Sequence, residues 1–386
     1  MRVGITGVGL HPFGRFADRT VTDLGVAAVR AALGDAGLGT GDRIDAAFCG
    51  TAYAGVAAGH KVLGALARTG IPIIDVEAGC ASGAAALALG VQAIRAGTAR
   101  RVLVFGIEQM PRGMIRSSFF EPWRERAGLA ATPAYFALRA QRLMREQGIT
   151  KEHLAAVVVK NRAHGAANPD AMYRSPTTAA EVLASRVVCE PLHLHMLCSP
   201  NEGAAALVLE PAGGTGGPAG GTGGPAVEVA AAVVRSHLPG SVLGEATPLW
   251  GVDDTGIPPP TRLAAEAAYA EAGLGPDDLD VVECQDTDAA RELLAWVELG
   301  VCPPGEQPAR LADGTHALGG RLPVNPSGGL LSKGEPLGAS ALGQVVELVR
   351  QLRGTAADRQ VPGARVGLAH TVGRGANASV VVLRRP

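Results

Sequence analysis

Cys80 stands in the run Ala78-Gly-Cys-Ala-Ser-Gly83. A short β-branched stretch (residues 73–76) precedes it, and an Ala-rich, nearly uncharged segment with helical character (residues 82–96) follows. This placement predicts a thiol where strand turns into helix, facing the orphan N–H groups and the positive end of that helix. Such surroundings favour a thiolate and hold a developing oxyanion, which is the chemistry of an acyl-accepting nucleophile. The alternative is a small buried cysteine that fills space beside Gly and Ala. Glu335 occupies the matching place later in the chain, in Asn325–Gly338 (NPSGGLLSKGEPLG), just before a second long helical pattern at residues 339–352.

The elements that must carry these two residues alternate between strand and helix. Strand patterns are read at residues 2–10, 44–49, 73–76 and 101–106, with helices at 22–36 (capped by Thr20 or Thr22 and stopped at Gly37), 59–68 and 82–96. Residues 201–210 (NEGAAALVLE) read as a buried strand. After the Gly-rich run 213–225 the alternation repeats: strand 227–234, helix 262–272, strand 280–284, helix 288–299, helix 339–352, and strands 364–369 and 378–383. The pattern predicts a layered α/β fold of two diverged copies, residues 1–212 and 226–386, joined by a flexible 213–225 linker. Their key residues, Cys80 and Glu335, should meet at the central helix ends. Residues 111–185 break the rhythm with Arg, Met and aromatic side chains (Phe119, Phe120, Trp123, Tyr135, Phe136) and read as an insertion over the core, where selectivity is usually set. Its basic residues Arg112, Arg116, Lys160 and Arg162 are candidates to meet phosphates.

Composition narrows the function classes. The 386 residues are 47% hydrophobic and 18% charged, and no uninterrupted apolar run reaches the ~18 residues of a membrane span. A net charge of −1 gives no case for nucleic acid or an anionic membrane. The opening MRVGITGVGL enters a strand pattern directly, so neither a secretory nor a transit signal is expected. Six scattered cysteines (Cys49, Cys80, Cys189, Cys198, Cys284, Cys302) without a C-x-x-C pair suit reduced thiols in a cytoplasmic protein and offer no zinc site.

With Ala78–Gly83, Asn325-Pro-Ser-Gly-Gly329 and Gly334-Glu-Pro-Leu-Gly-Ala-Ser340 in view, the chain resembles the thiolase superfamily. It is most similar to the sterol-carrier-protein-type thiolases and their bacterial lipid-transfer relatives. The likeness runs from Val3 to Leu383 and includes LCSPNEGAAALVLEP, LGVCPPGE, RQVPGA and the closing His370-Thr-Val-Gly-Arg-Gly375. The resemblance implies the thiolase fold, two α/β halves in five layers (α-β-α-β-α), and a homodimer. It further implies an acyl-Cys80 thioester formed from a coenzyme A or phosphopantetheine carrier-protein donor, which is substrate and not a bound cofactor. One oxyanion hole would come from the backbone N–H groups of Cys80 and Gly375.

The rest of the site departs from that family. Where those thiolases read Gly-His-Pro, this chain has Glu335; where they read His-Asp-Cys-Phe, it has Gln285-Asp286-Thr287-Asp288. Thr287 cannot replace the proton-exchanging cysteine, because its hydroxyl is far too weak an acid. Gln285 keeps a side-chain donor for an oxyanion hole, or is a neutral structural swap. Glu335 either takes a proton from an incoming nucleophile or marks a site in decay. His370 tops a strand and either approaches the site or is a core histidine. The expectation is an acyltransferase or condensing enzyme of secondary or lipid metabolism. A thiolase-fold retro-aldolase, or a non-catalytic subunit, are the alternatives. Many lipid-transfer relatives pair with a small zinc-ribbon and OB-fold protein, and such a partner would be a separate chain here.

Overall fold

The computed structural model describes residues 1–113, 123, 126, 132–212, 224–238, 256–373 and 377–385. In the first half, β1 (Val3–Gly14), β2 (Ala46–Gly50), β3 (Ile73–Val76) and β4 (Val102–Gln109) are followed by a small hairpin of β5 (Val187–Cys189) and β6 (Leu192–His193), then β7 (Glu202–Pro211). The second half supplies β8 (Val227–Ser236), β9 (Val281–Cys284), β10 (Val366–Gly373) and β11 (Asn377–Arg384). Nine of these strands form one sheet in the order β3-β2-β4-β7-β1-β8-β11-β10-β9.

The order repeats about the β1–β8 junction. On either side of it comes an antiparallel neighbour (β7 or β11), then a strand (β4 or β10) that runs parallel to the next (β2 or β9). Even the outermost pairing recurs, since β2 pairs parallel with β3 and β9 makes a parallel bridge from Val282 to Val324. The junction itself is short, only Val3 with Val229, Gly4 with Glu228 and Ile5 with Val227. The two expected copies are therefore visible as repeated topology. The expected linker falls largely on residues 213–223, which lie outside the described residues.

Three cores show the layering. Helices Val21–Asp35 and Ala58–Ala65 cover the outer face of the first half-sheet through Leu24, Val29, Val62 and Leu63. Helices Pro260–Ala272 and Ala289–Glu298 cover the second through Ala264, Ala268, Leu293 and Trp296. Between the half-sheets lie helices Ser82–Arg95 and Leu337–Arg353, packed through Leu87, Val91, Leu342 and Val345. This is the five-layered arrangement. A helix enclosed on all sides cannot be amphipathic in the ordinary sense, which is why Ser82–Arg95 is apolar almost all round. The polar residues of Leu337–Arg353 are satisfied internally: Glu347 holds Arg359 through two hydrogen bonds (3.0 and 3.2 Å), and Gln344 accepts from the Thr371 hydroxyl (2.8 Å).

The starts of the two central helices touch backbone to backbone. A Cβ on Gly83 would lie 2.8 Å from the carbonyl oxygen of Gly338, and one on Gly338 would lie 2.5 Å from those of Gly50 and Ile107. Only glycine permits this approach. The insertion contributes helices Thr132–Gln147, Lys151–Ala166 and Ala179–Ala184 over the same end of the molecule. Among the described residues no helix is long and apolar enough to cross a membrane.

Candidate active site

Cys80 sits in a locked turn between β3 and the Ser82–Arg95 helix. The Ser82 hydroxyl accepts from the Ala78 N–H (2.9 Å) and donates to the Gly79 carbonyl (2.6 Å), and Gly79 takes a positive φ of 61°. Cys80 is 7% exposed, packs against Met110 and Leu337, and lines a cavity of about 680 Å³. Glu335, Gln285 and Thr287 line the same cavity, so the structure brings the sequence-predicted residues of both halves together.

Glu335 is held from both sides. Its Oε1 accepts from Gln285 Nε2 (3.0 Å) and its Oε2 accepts from the Cys198 thiol (3.2 Å). Gln285 is oriented by the Val372 N–H, which donates to its Oε1 (2.8 Å). With both oxygens accepting, Glu335 is arranged as a carboxylate able to take a proton. Burial, then the Glu335 charge beside it, pushes the Cys198 thiol well above its ordinary range, so Cys198 stays a donor.

The backbone enforces this. Gly334 has φ 84° and ψ 175°, a conformation essentially reserved for glycine, and a Cβ there would lie 2.0 Å from Asn201 Nδ2. That Asn201 nitrogen donates to the Lys333 carbonyl (2.8 Å), and the Glu335 N–H donates to the Ser199 carbonyl (2.9 Å). The Cys198 N–H donates to Thr287 (2.9 Å). Residues 198–201 thus tie the Thr287 loop to Glu335. The Thr287 hydroxyl itself donates to Asp288 (3.3 Å), whose carboxylate also pairs with Arg139 and caps the Ala289–Glu298 helix.

Two further carboxylates brace the site from behind. Glu108 collects the N–H groups of Ala52 (2.9 Å), Tyr53 (3.0 Å) and Gly338 (3.1 Å), joining a cavity wall to the start of the second central helix. Burial raises its pKa, and those hydrogen bonds oppose the rise. Asp286 accepts from Leu330, Leu331 and Asn161, and burial together with the nearby Glu292 pushes it well above the carboxylate range.

Several sequence expectations need correction or fall elsewhere. His370 is fully buried, its Nε2 lies 3.1 Å from the Thr261 hydroxyl, and it does not line the cavity. It lies two residues back along β10 from the cavity-lining Val372, in the core against the Pro260–Ala272 helix. Burial, then the Arg291 charge, lowers its pKa well below the ordinary value, which makes it a neutral core histidine. Lys160 is not available to phosphates, because it is buried against Glu292 (2.9 Å) and the Val324 carbonyl (2.9 Å). Arg112 is exposed and does not line the cavity, whereas Arg162 does. Arg116 and the oxyanion residue Gly375 lie outside the described residues. Cys198 was missed as a site residue. The signal was its place in LCSPNEG, directly before the strand that carries Glu202.

The comparisons with known proteins agree with this architecture. Residues 3–178 match the family description "Thiolase, N-terminal domain", and residues 252–385 match "Thiolase C-terminal domain-like". The chain is 35% identical over 400 residues to sterol carrier protein 2 of Oryctolagus cuniculus, covering 99% of this chain and 71% of that protein. It is 35% identical over 396 residues to an acetyl-CoA acetyltransferase of Methanothermobacter thermautotrophicus, covering 99% of each. Among solved structures, the Ltp2-ChsH2(DUF35) aldolase superposes with a TM-score of 0.86 at 26% identity, covering 100% of this chain and 98% of that one. With two matched domains, a fold of two copies and a cysteine at the head of the first central helix, this chain belongs to the thiolase family.

Proposed function

We propose that this protein transfers an acyl group through a thioester on Cys80, taking it from a coenzyme A or carrier-protein thioester, and that Glu335 is the base for the acceptor. The observation that carries the proposal is the placement of Cys80 and Glu335 on one cavity, with both Glu335 oxygens held as acceptors. As the Cys80 sulfur attacks the donor carbonyl it gives up its proton, the carbonyl π pair moves to oxygen, and collapse expels the donor sulfur, which leaves carrying that proton. The acceptor then loses its proton to Glu335 as it attacks the Cys80 thioester, and the Cys80 sulfur leaves with the bonding pair. The Cys80 backbone N–H, at the head of the Ser82–Arg95 helix, is the donor assigned to the oxyanion. Gln285 and Cys198 keep the Glu335 carboxylate aimed. We further assign the enzyme as a homodimer.

The test is intact mass after incubation with acyl-coenzyme A thioesters: a stable acyl adduct that disappears in Cys80→Ala supports transfer. The likeness to the Ltp2-ChsH2(DUF35) aldolase favours one second reading, a carbon–carbon lyase working with a separate partner subunit. In that reading Glu335 moves the proton and Cys80 stays unmodified. Turnover with no adduct, undiminished in Cys80→Ala, would establish the lyase instead.

A further inference from the structure

Arg162 lines the cavity, and among the described residues it forms no ion pair. Its Nε is buried without a hydrogen-bond partner, and its guanidinium stacks 4.1 Å over the Tyr173 ring. The other buried cations around the site are all paired: Lys160 with Glu292, Lys333 with Glu283, and Arg139 with Asp288. A partly desolvated guanidinium without a counter-charge is costly unless a ligand supplies one. Burial accordingly lowers the Arg162 pKa from its ordinary value.

Its position says which part of a ligand it meets. Arg162 and Gly165 are three residues apart on one helix and so share a face. Gly165 packs against Ser332 so closely that a Cβ there would lie 2.4 Å from the Ser332 Cβ, and the Tyr173 N–H donates to the Ser332 carbonyl (2.9 Å). The Arg162–Tyr173 stack therefore rests on the same block as Glu335, three residues beyond Ser332. It belongs to the wall beside the reacting groups. The phosphates of a coenzyme A or carrier donor are a full pantetheine arm away from the thioester. Neighbouring walls carry Tyr135, Phe136, Leu194 and Leu337, suited to an apolar body. The cavity's other arginine, Arg186, is exposed and stays hydrated.

We propose that the acyl group taken by this cavity carries a second, free carboxylate, and that Arg162 is the residue that selects it. A guanidinium held flat by stacking presents its N–H edge as a fork, which matches a carboxylate with two parallel hydrogen bonds. This inference rests on the reading of the cavity as a thioester site, but not on acyl transfer to Cys80.

The experiment is calorimetric binding of coenzyme A thioethers, which cannot transfer an acyl group, in pairs of equal chain length ending in a carboxylate or a methyl. The wild-type protein should bind the best carboxylate-ended member at least about 10-fold more tightly than its methyl partner. Arg162→Gln should erase that preference while leaving the methyl-ended thioether and free coenzyme A unchanged. Arg162→Lys should keep only part of it. No preference in the wild type at any chain length overturns the proposal. So does a loss in Arg162→Gln that is equal for free coenzyme A, which would assign Arg162 to phosphate, or equal for both thioethers, which would mean a collapsed wall. If the preference holds while no acyl-Cys80 forms from true thioesters, acyl transfer fails and the carboxylate assignment stands.

Discussion

The Cys198 sulfur donates its proton to Glu335 Oε2 at 3.2 Å, across 137 residues of chain. Glu335 thereby enters the cavity with a thiol on one side and the Gln285 amide on the other. A carboxylate so held is positioned for one direction of proton uptake, and each donor fixes one oxygen.

Cys198→Ala removes one of the two donors without touching Cys80. A hydrogen bond to a charged group contributes about 1.5–3 kcal/mol, so turnover should fall by roughly tenfold or more. Acyl loading measured by intact mass should persist. Loss of loading in this variant would show that Cys198, not Cys80, accepts the acyl group.

Glu335→His separates a recruited base from a residue in decay. If Glu335 takes the acceptor's proton, the variant should load Cys80 as fast as the wild type or faster, then stall with acyl-enzyme accumulating. Intact-mass occupancy and product formation, followed together against pH, decide the matter. Both rising together would refute the base assignment.

Gly334→Ala should be more damaging than its surface area suggests. Its backbone conformation costs a non-glycine residue about 1–3 kcal/mol, and the added methyl meets Asn201. Denaturant unfolding should show that loss. Turnover should fall further than stability alone explains, because Glu335 is the next residue. A variant with wild-type stability and turnover would contradict the described backbone.

Three buried histidines predict an acid-sensitive fold. Burial is the main cause in each: His164 is lowered to about 3, His316 to about 4, and His370 well below its ordinary value. An unfolded histidine binds a proton below pH 6.5 while the buried one does not, so their contribution is present above 6.5 and lost as pH falls. Each contributes a slope of at most about 1.4 kcal/mol per pH unit. His370→Asn should be less steeply destabilised than the wild type between pH 6.5 and 5, by urea unfolding, and should still load Cys80. Comparing slopes cancels the buried carboxylates Glu283 and Asp286, which titrate in both proteins with raised pKa values.

What the sequence revealed follows from how local each signal was. Cys80 and Glu335 were legible because each stands directly before a long helix, and helix heads announce themselves in twenty residues. The strands of β4 and β7 were legible as runs of buried residues, with ends shifted by one to three positions. Cys198, Asn201 and Glu108 were not legible as site residues. Their partners lie 137, 132 and up to 230 residues away, and nothing in their own neighbourhoods fixes those pairings. His370 was left open between cavity and core for a related reason. A histidine high on a strand reads the same whether its ring points to the cavity or into the adjoining helix layer.

The enclosure of Leu337–Arg353 between the half-sheets also sets a timetable for biosynthesis. This helix is translated after seven of the sheet's nine strands, and only β10 and β11 come later still. Arg353, at its end, reaches back to Asp35 (2.7 Å) and the Thr6 carbonyl (3.0 Å), contacts that span most of the chain. Until that helix arrives, the groove it fills stays open on the ribosome and Cys80 has no fixed Glu335 to face. A nascent chain halted before residue 337 should therefore be chemically silent and bind apolar dyes or chaperones, and release of the remaining residues should switch on catalysis and close the groove in a single step.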